Sequence, residues 1–87
     1  MSRLEIFCEI DAERERQERK HGPNTCAGQG VSDELKSAIL TEENGEVAKA
    51  VIEKNRDELK KELVQVAAVA VAWLEALDAP KFDGGMR

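Results

Sequence analysis

Acidic side chains at helical spacing are the residues of this sequence best suited to chemistry. Glu42, Glu43 and Glu46 follow the apolar residues Leu35 and Ile39 in a segment with helical periodicity. At 100° of rotation per residue, the three carboxylates fall on the same helix face as these apolar side chains. Carboxylates on a core-facing surface repel one another and lose hydration, so they require a compensating partner.

A second acidic position lies on the next predicted helix. Glu62 is in line with Val66 and Val69 on an apolar face, and Gln65 lies one turn further along, at the edge of that face. A divalent cation held by oxygen ligands is the simplest partner for such side chains, and facing helices of a bundle commonly build such sites. The alternative is that the glutamates are solvated and that each helix buries a different face.

The segment from Asp11 to Lys20 is almost entirely charged. One interpretation is a solvated helix face; the other is that some of Arg16, Arg19 and Lys20 reach an anionic ligand. His21 follows at the end of this segment, beside a glycine. There it is expected to act as a cation at a helix C-terminus and not as a catalytic base.

Three helices account for the pattern of apolar residues and helix-breaking residues. The first is predicted from about Ser2 to Lys20, and a stretch rich in glycine follows it. Ser32 or Asp33 caps the second helix, which runs to about Lys54. The third is predicted over 58–78, with Asp57 as its N-cap, and residues 80–87 are expected to form a loose tail.

The third helix is apolar on every side between Val66 and Leu74. A helix of this kind must be buried all round, and two other helices of an 87-residue chain do not easily surround it. The sequence therefore predicts an all-α bundle of about three helices, formed by a single domain over residues 1–79. Its core would be completed by pairing with a second copy, as a dimer or a dimer of dimers.

Composition limits the partners and the location of the protein. Charged residues make up 36% of the chain and the net charge is −5, which argues against binding of DNA or RNA polymers. The longest apolar stretch is shorter than the ~20 residues of a membrane span, and the charged first ten residues are not typical of a secretory signal. Cys8 and Cys26 have no paired spacing and are expected to be free thiols. We therefore expect a cytoplasmic protein.

The run Leu40–Val47, followed by Glu62 to Gln65, resembles the MazG-like all-α nucleotide pyrophosphohydrolases. That family shows E-E-x-x-E on one helix and E-x-x-D on the next. The segment Glu13 to Gly22, with Gln17 and Lys20 near its end, is similar to the leading helix of small phage- and bacterial-type members. The resemblance extends from about Ile6 to Leu77.

The resemblance implies a Mg²⁺-dependent enzyme, with Mn²⁺ as a possible substitute, that cleaves a nucleoside triphosphate between its α and β phosphates. The products would be the nucleoside monophosphate and pyrophosphate. Glu43, Glu46 and Glu62 match the metal-binding acids, and Gln65 stands at the fourth metal-ligand position. Glu42 matches the first acid of the pair, which would bind metal or orient the attacking water. Gln17 and Lys20 are the expected contacts to the substrate.

Gln65 departs from the family pattern, which has an aspartate at this position. An amide oxygen can coordinate Mg²⁺, but it carries no charge and cannot accept a proton as a carboxylate does. Two other functions therefore stay open. One is a bundle that binds nucleotide or metal without turnover, and the other is a structural helical dimer with solvated glutamates.

Overall fold

The computed structural model describes residues 1–78, and this part of the chain is all-helical. Helix α1 spans Arg3–His21, α2 spans Asp33–Ile52 and α3 spans Arg56–Asp78, with a single 3₁₀ turn at Gly22–Asn24. The predicted all-α class with three helices is confirmed for this range. No helix within it combines the length and the apolar character needed to cross a membrane. The predicted tail at 80–87 lies outside the described residues.

Local side chains fix where α1 and α2 begin. Ser2 and Glu5 form a reciprocal capping box, in which the Ser2 hydroxyl accepts from the Glu5 N–H and the Glu5 carboxylate accepts from the Ser2 N–H. Ser32 caps α2 by accepting from the N–H of Leu35 at 3.1 Å. Gly22 ends α1 with a positive φ of 54°, a conformation that glycine adopts without strain.

The junction between α2 and α3 differs from the prediction. Helix α2 ends at Ile52 and α3 begins at Arg56, so the predicted ends at Lys54 and Glu58 are displaced. Asn55, and not Asp57, is the capping residue, because its side-chain oxygen accepts from the N–H of Glu58 at 3.0 Å. Lys54 has a φ of 56° and turns the chain in this short connection.

Helix α3 lies between the other two helices. Within residues 1–78, α1 and α2 each pack on α3, and no Cα atom of α1 lies within 8 Å of one in α2. Small buried side chains on α3, namely Ala68, Ala72 and Ala76, allow the neighbouring helices to approach closely. At one end the Trp73 indole N–H donates to Asp33 Oδ1 at 3.0 Å and ties α3 to the start of α2.

The core of one chain is small. Cys26, Val69 and Ala72 form its centre, packed against partly buried side chains that include Ile39 and Trp73. The opposite side of α3 carries exposed apolar side chains, and α1 and α2 leave others exposed at their ends; among them are Leu4, Phe7, Val51, Ile52, Leu63, Val71, Leu74 and Leu77. One chain therefore covers only part of the apolar surface of α3. The dimerisation inferred from the sequence stays a prediction.

Candidate functional site

The site is built around two glutamates on facing helices. Glu62 on α3 is only 7% exposed, and Glu43 on α2 is half-buried. Between them lies the side chain of Gln65, whose amide orientation is assigned from its neighbours. With its nitrogen turned toward the acids, the amide donates to Glu62 Oε2 at 3.0 Å and to Glu43 Oε2 at 3.3 Å. Gln65 thus joins the two carboxylates of the predicted metal site.

Burial and neighbouring charges both disfavour ionisation of these acids. Burial is the main cause that raises the pKa of Glu62, and contact with the Glu58 side chain and the charge of Glu43 raise it further. Burial also raises the pKa of Glu43, with added repulsion from Glu42, Glu46 and Glu13. The site therefore concentrates negative charge that the folded chain does not fully compensate.

Two acids of this cluster were missed by sequence reasoning. Glu58 precedes Glu62 by four residues on α3, so its proximity could have been read from the i, i+4 spacing. Glu13 belongs to the charged segment of α1, where nothing in the spacing distinguishes it from solvated neighbours. Glu13 is half-buried, and its charge is close enough to raise the pKa of Glu43.

The three acids of α2 do not share one environment. Glu43 is half-buried, whereas Glu42 and Glu46 are exposed. The prediction that all three lie on the packed face is therefore wrong for Glu42 and Glu46 in a single chain. The reason is that α3 is the only helix that packs closely on α2, and the covered stripe of α2 runs through Lys36, Glu43 and Ala50 and leaves Glu42 and Glu46 outside it.

A cleft of about 420 Å³ brings most of the predicted site residues together. Gln17 and Lys20 of α1 line it, and so do Glu42, Glu43 and Gln65 of α2 and α3. Glu46 and Glu62 do not line this cleft, although Glu62 is linked to it through Gln65. The cleft is within the size range of small-molecule sites.

The α1 side of the cleft carries basic side chains, and the α2 side carries acidic ones. On α1, Arg16 is held by Glu13 through an Nε–Oε1 contact of 2.9 Å and a second contact through Nη2, and hydrogen bonding to Glu13 raises the pKa of Arg16. Lys20 makes no ion pair with any residue between 1 and 78. Its ammonium group is therefore available to an anionic ligand in the cleft.

The remaining wall comes from the turn after α1. Asn24, Thr25 and Cys26 line the cleft together with Ile39 and Val69. His21 also lines it and is the last residue of α1, where the sequence placed a helix C-terminal cation. Both cysteines are free, as predicted, with Cys8 exposed and Cys26 buried.

The side chains here that could hold a divalent cation are Glu43, Glu62 and, with its amide oxygen turned toward them, Gln65. Mg²⁺ usually keeps several waters and takes one or two carboxylates together with substrate phosphates. Glu43 and Glu62 come from facing helices and converge on the Gln65 amide, whose nitrogen donates to both carboxylates. Within residues 1–78, however, no group of three or more acidic, histidine or cysteine side chains is placed to hold a metal ion. Glu46, the third acid expected from the sequence, is exposed, but its charge raises the pKa of both Glu43 and Glu62.

Comparisons of the chain with protein-family models, with curated proteins and with solved structures find no match.

Proposed function

We propose that this protein is a Mg²⁺-dependent nucleoside triphosphate pyrophosphohydrolase that releases a nucleoside monophosphate and pyrophosphate. The observation that carries the proposal is the cleft in which Lys20 and Gln17 of α1 lie together with Glu42, Glu43 and Gln65 of α2 and α3. These five residues, which the MazG-like resemblance assigns to substrate, catalysis or metal, thereby line one cleft although they are far apart in the sequence; Glu46 and Glu62 do not line it.

Charge indicates why a cation belongs to this function. A triphosphate would be repelled by Glu42 and Glu43 unless a divalent ion lay between the phosphates and the carboxylates. We propose that Glu43 and Glu62 hold Mg²⁺, that the Gln65 amide oxygen joins them, and that Glu46 completes the set by a change of rotamer. When bound, the ion would neutralise phosphate charge and lower the pKa of a bound water.

The other residues of the cleft bind and orient the substrate. Lys20, which has no ion-pair partner between residues 1 and 78, would hold a phosphate oxygen, and the Gln17 amide would donate to another. Glu42 is exposed at the cleft beside Glu43, so its carboxylate can accept a hydrogen bond from water and take a proton from it.

Product analysis tests this proposal directly. Purified protein is incubated with each of the common ribo- and deoxyribonucleoside triphosphates and Mg²⁺, and pyrophosphate and monophosphate are quantified. The proposal expects equal amounts of the two products and no activity in the Glu43→Gln variant. Release of orthophosphate and diphosphate instead would contradict cleavage between the α and β phosphates.

A second candidate is a binding module that holds metal or nucleotide without turnover. The neutral Gln65 at the centre of the site favours it, because an amide cannot accept a proton as the usual aspartate does. In the same assay this module would bind Mg²⁺ and nucleotide but release no product. The burial of Glu62 argues against a third possibility, a purely structural dimer with solvated glutamates.

We further propose that the working protein is a homo-oligomer. The exposed apolar side chains on the outer side of α3, such as Leu63, Leu74 and Leu77, would be covered by a second copy.

A further inference from the structure

Arg14 is buried, although the charged segment in which it lies does not indicate burial. This residue of α1 is only 5% exposed. The guanidinium Nε donates to Glu75 Oε2 at 2.6 Å, and Nη2 donates to Glu18 Oε1 at 2.5 Å. Arg14 therefore connects the second half of α1 to the far end of α3.

The connection continues from Glu18 into the turn that forms a wall of the cleft. Glu18 Oε1 also accepts from the hydroxyl of Thr25 at 3.1 Å. The same hydroxyl oxygen accepts from the N–H of Ala27 at 3.2 Å. Thr25 is 7% exposed, and both it and the adjacent Cys26 line the cleft. Two side chains in series, Glu18 and Thr25, thus link the buried guanidinium of Arg14 to the cleft.

Packing alone does not account for a buried arginine here. The Nη1 atom of Arg14 is buried without a hydrogen-bond partner, which costs stability. An apolar side chain of similar size would avoid this cost, since buried ion pairs are often no more stable than well-packed apolar residues. What an apolar residue could not do is fix the Glu18 carboxylate, and through it the hydroxyl of Thr25.

We infer that Arg14 is a positioning residue that acts through Glu18 and Thr25 to hold the turn at residues 22–26 in place as a wall of the ligand cleft. By this route it sets how tightly the cleft holds its substrate, without touching the substrate itself. The second part of this inference rests on the proposed function, whereas the first part concerns the chain alone.

Cys26 provides a reporter of the turn that does not depend on activity. It is 4% exposed and directly follows Thr25, so release of the turn exposes its thiol. In a Cys8→Ser background, the rate of alkylation by N-ethylmaleimide reports on Cys26 alone. The informative pair is Thr25→Val, which removes the hydroxyl at similar shape, and Thr25→Ser, which keeps it. Alkylation is also measured for Arg14→Leu, provided that this variant folds.

Thr25→Val removes both the hydrogen bond to Glu18 and the one from the Ala27 N–H, so alkylation should accelerate about tenfold or more, while Thr25→Ser stays near the parent rate. Gln29→Ala is the matched control, because it removes a different loop contact, from Gln29 Nε2 to the Ala76 carbonyl at 3.0 Å. Equal acceleration in Gln29→Ala and Thr25→Val, or none in Thr25→Val, would overturn the inference.

Kinetics with Mg²⁺ and the triphosphate that the parent hydrolyses test the effect on the cleft. We expect Thr25→Val to raise KM several-fold with little change in kcat, and Thr25→Ser to restore KM. An unchanged KM in a variant with an exposed Cys26 would overturn the link from the turn to substrate binding. If the parent neither hydrolyses nor binds a triphosphate, the proposed function fails. Alkylation of Cys26 in Thr25→Val and Arg14→Leu then decides alone whether Arg14 positions the turn.

Discussion

The amide nitrogen of Gln65 lies 3.0 Å from Glu62 Oε2, one helical turn away on α3. This relationship gives a physical role to the residue that departs from the E-x-x-D pattern. A neutral amide can donate N–H to the acids when no cation is present, and it can present its oxygen when one is bound. An aspartate could do only the second, and it would add a further negative charge to a site that is already acidic.

Replacement of Gln65 by Asp should therefore make the fold more dependent on metal. In the presence of a chelator, the variant loses its donor to Glu62 and gains repulsion. We expect its Tm to fall on the order of 5 °C, which corresponds to about 1 kcal/mol in a domain of this size. Millimolar Mg²⁺ should raise its Tm by more than it raises that of the parent, because the added carboxylate binds the ion more tightly.

Differential scanning calorimetry with and without Mg²⁺ measures both effects of this substitution. Ser37→Asp is a suitable control, since it adds the same charge at an exposed position of α2. A Gln65→Asp variant with the parent's Tm in chelator and in Mg²⁺ would show that this side chain does not face the acids.

The raised pKa values of Glu43 and Glu62 predict a pH dependence of stability. A carboxyl whose pKa is raised on folding binds its proton more tightly in the folded state. Its unfavourable contribution to the free energy of unfolding is absent below the ordinary carboxyl pKa of about 4.3. This contribution grows as the pH rises through the raised pKa of the folded state. Without metal, these two groups should thus lower the free energy of unfolding between weakly acidic and neutral pH.

The Glu62→Gln variant isolates one of these contributions. It should be more stable than the parent at neutral pH in chelator, and the two proteins should converge toward acid pH. Urea unfolding followed by circular dichroism over this range measures the difference. Glu18, whose pKa is lowered mainly by its hydrogen bond with Arg14, contributes with the opposite sign, but it is the same in both proteins. A Glu62→Gln variant less stable than the parent at neutral pH would contradict the uncompensated charge at this site.

Helix positions could be predicted because their signals are local. Ser2 with Glu5 and Ser32 with Leu35 are interactions over three residues, which a sequence displays directly. The cap at the α2–α3 junction was predicted at the wrong residue. Both Asn55 and Asp57 are good capping residues, and the backbone geometry determines which of them caps the helix.

The buried faces could not be predicted to the same extent. Helix α3 is apolar on every side between Val66 and Leu74, so periodicity there does not show which side contacts α1 and α2. Arg14 illustrates the same limit in a charged segment. It reads as solvated until Glu75, 61 residues further along, is placed beside it. Contacts between residues so distant in sequence arise from packing and leave no local pattern.

The apolar side of α3 predicts self-association. Leu74 is 63% exposed in one chain, so Leu74→Glu would place a charge in the expected interface. We expect the parent to sediment as a dimer or tetramer at micromolar concentration and the variant to dissociate or unfold. Ser37→Glu, with the same added charge at an exposed position of α2, should keep the parent's assembly. A parent that sediments as a stably folded monomer would remove the need for a second copy.

Saturating Mg²⁺ should restore turnover to different extents in variants that lack one acid of the site. Glu43→Gln and Glu62→Gln remove the two carboxylates that converge on Gln65, so turnover should fall by more than the ~100-fold typical of outer-shell partners. Unfolding is not an alternative cause for Glu62→Gln, because that variant is expected to be the more stable protein in chelator.

Glu46 is the decisive case, because the MazG-like resemblance makes it a ligand while one chain leaves it exposed. If it reaches the ion by a change of rotamer, Glu46→Gln should weaken Mg²⁺ binding and shift the concentration for half-maximal turnover upward by about tenfold. Saturating Mg²⁺ should then restore most of the rate in Glu46→Gln but little of it in Glu62→Gln. Titration of Mg²⁺ at fixed nucleotide, with pyrophosphate as the readout, measures all three variants together. A Glu46→Gln enzyme with the parent's Mg²⁺ dependence would mean that only Glu43, Glu62 and Gln65 hold the ion, and that the acids of α2 are not equivalent.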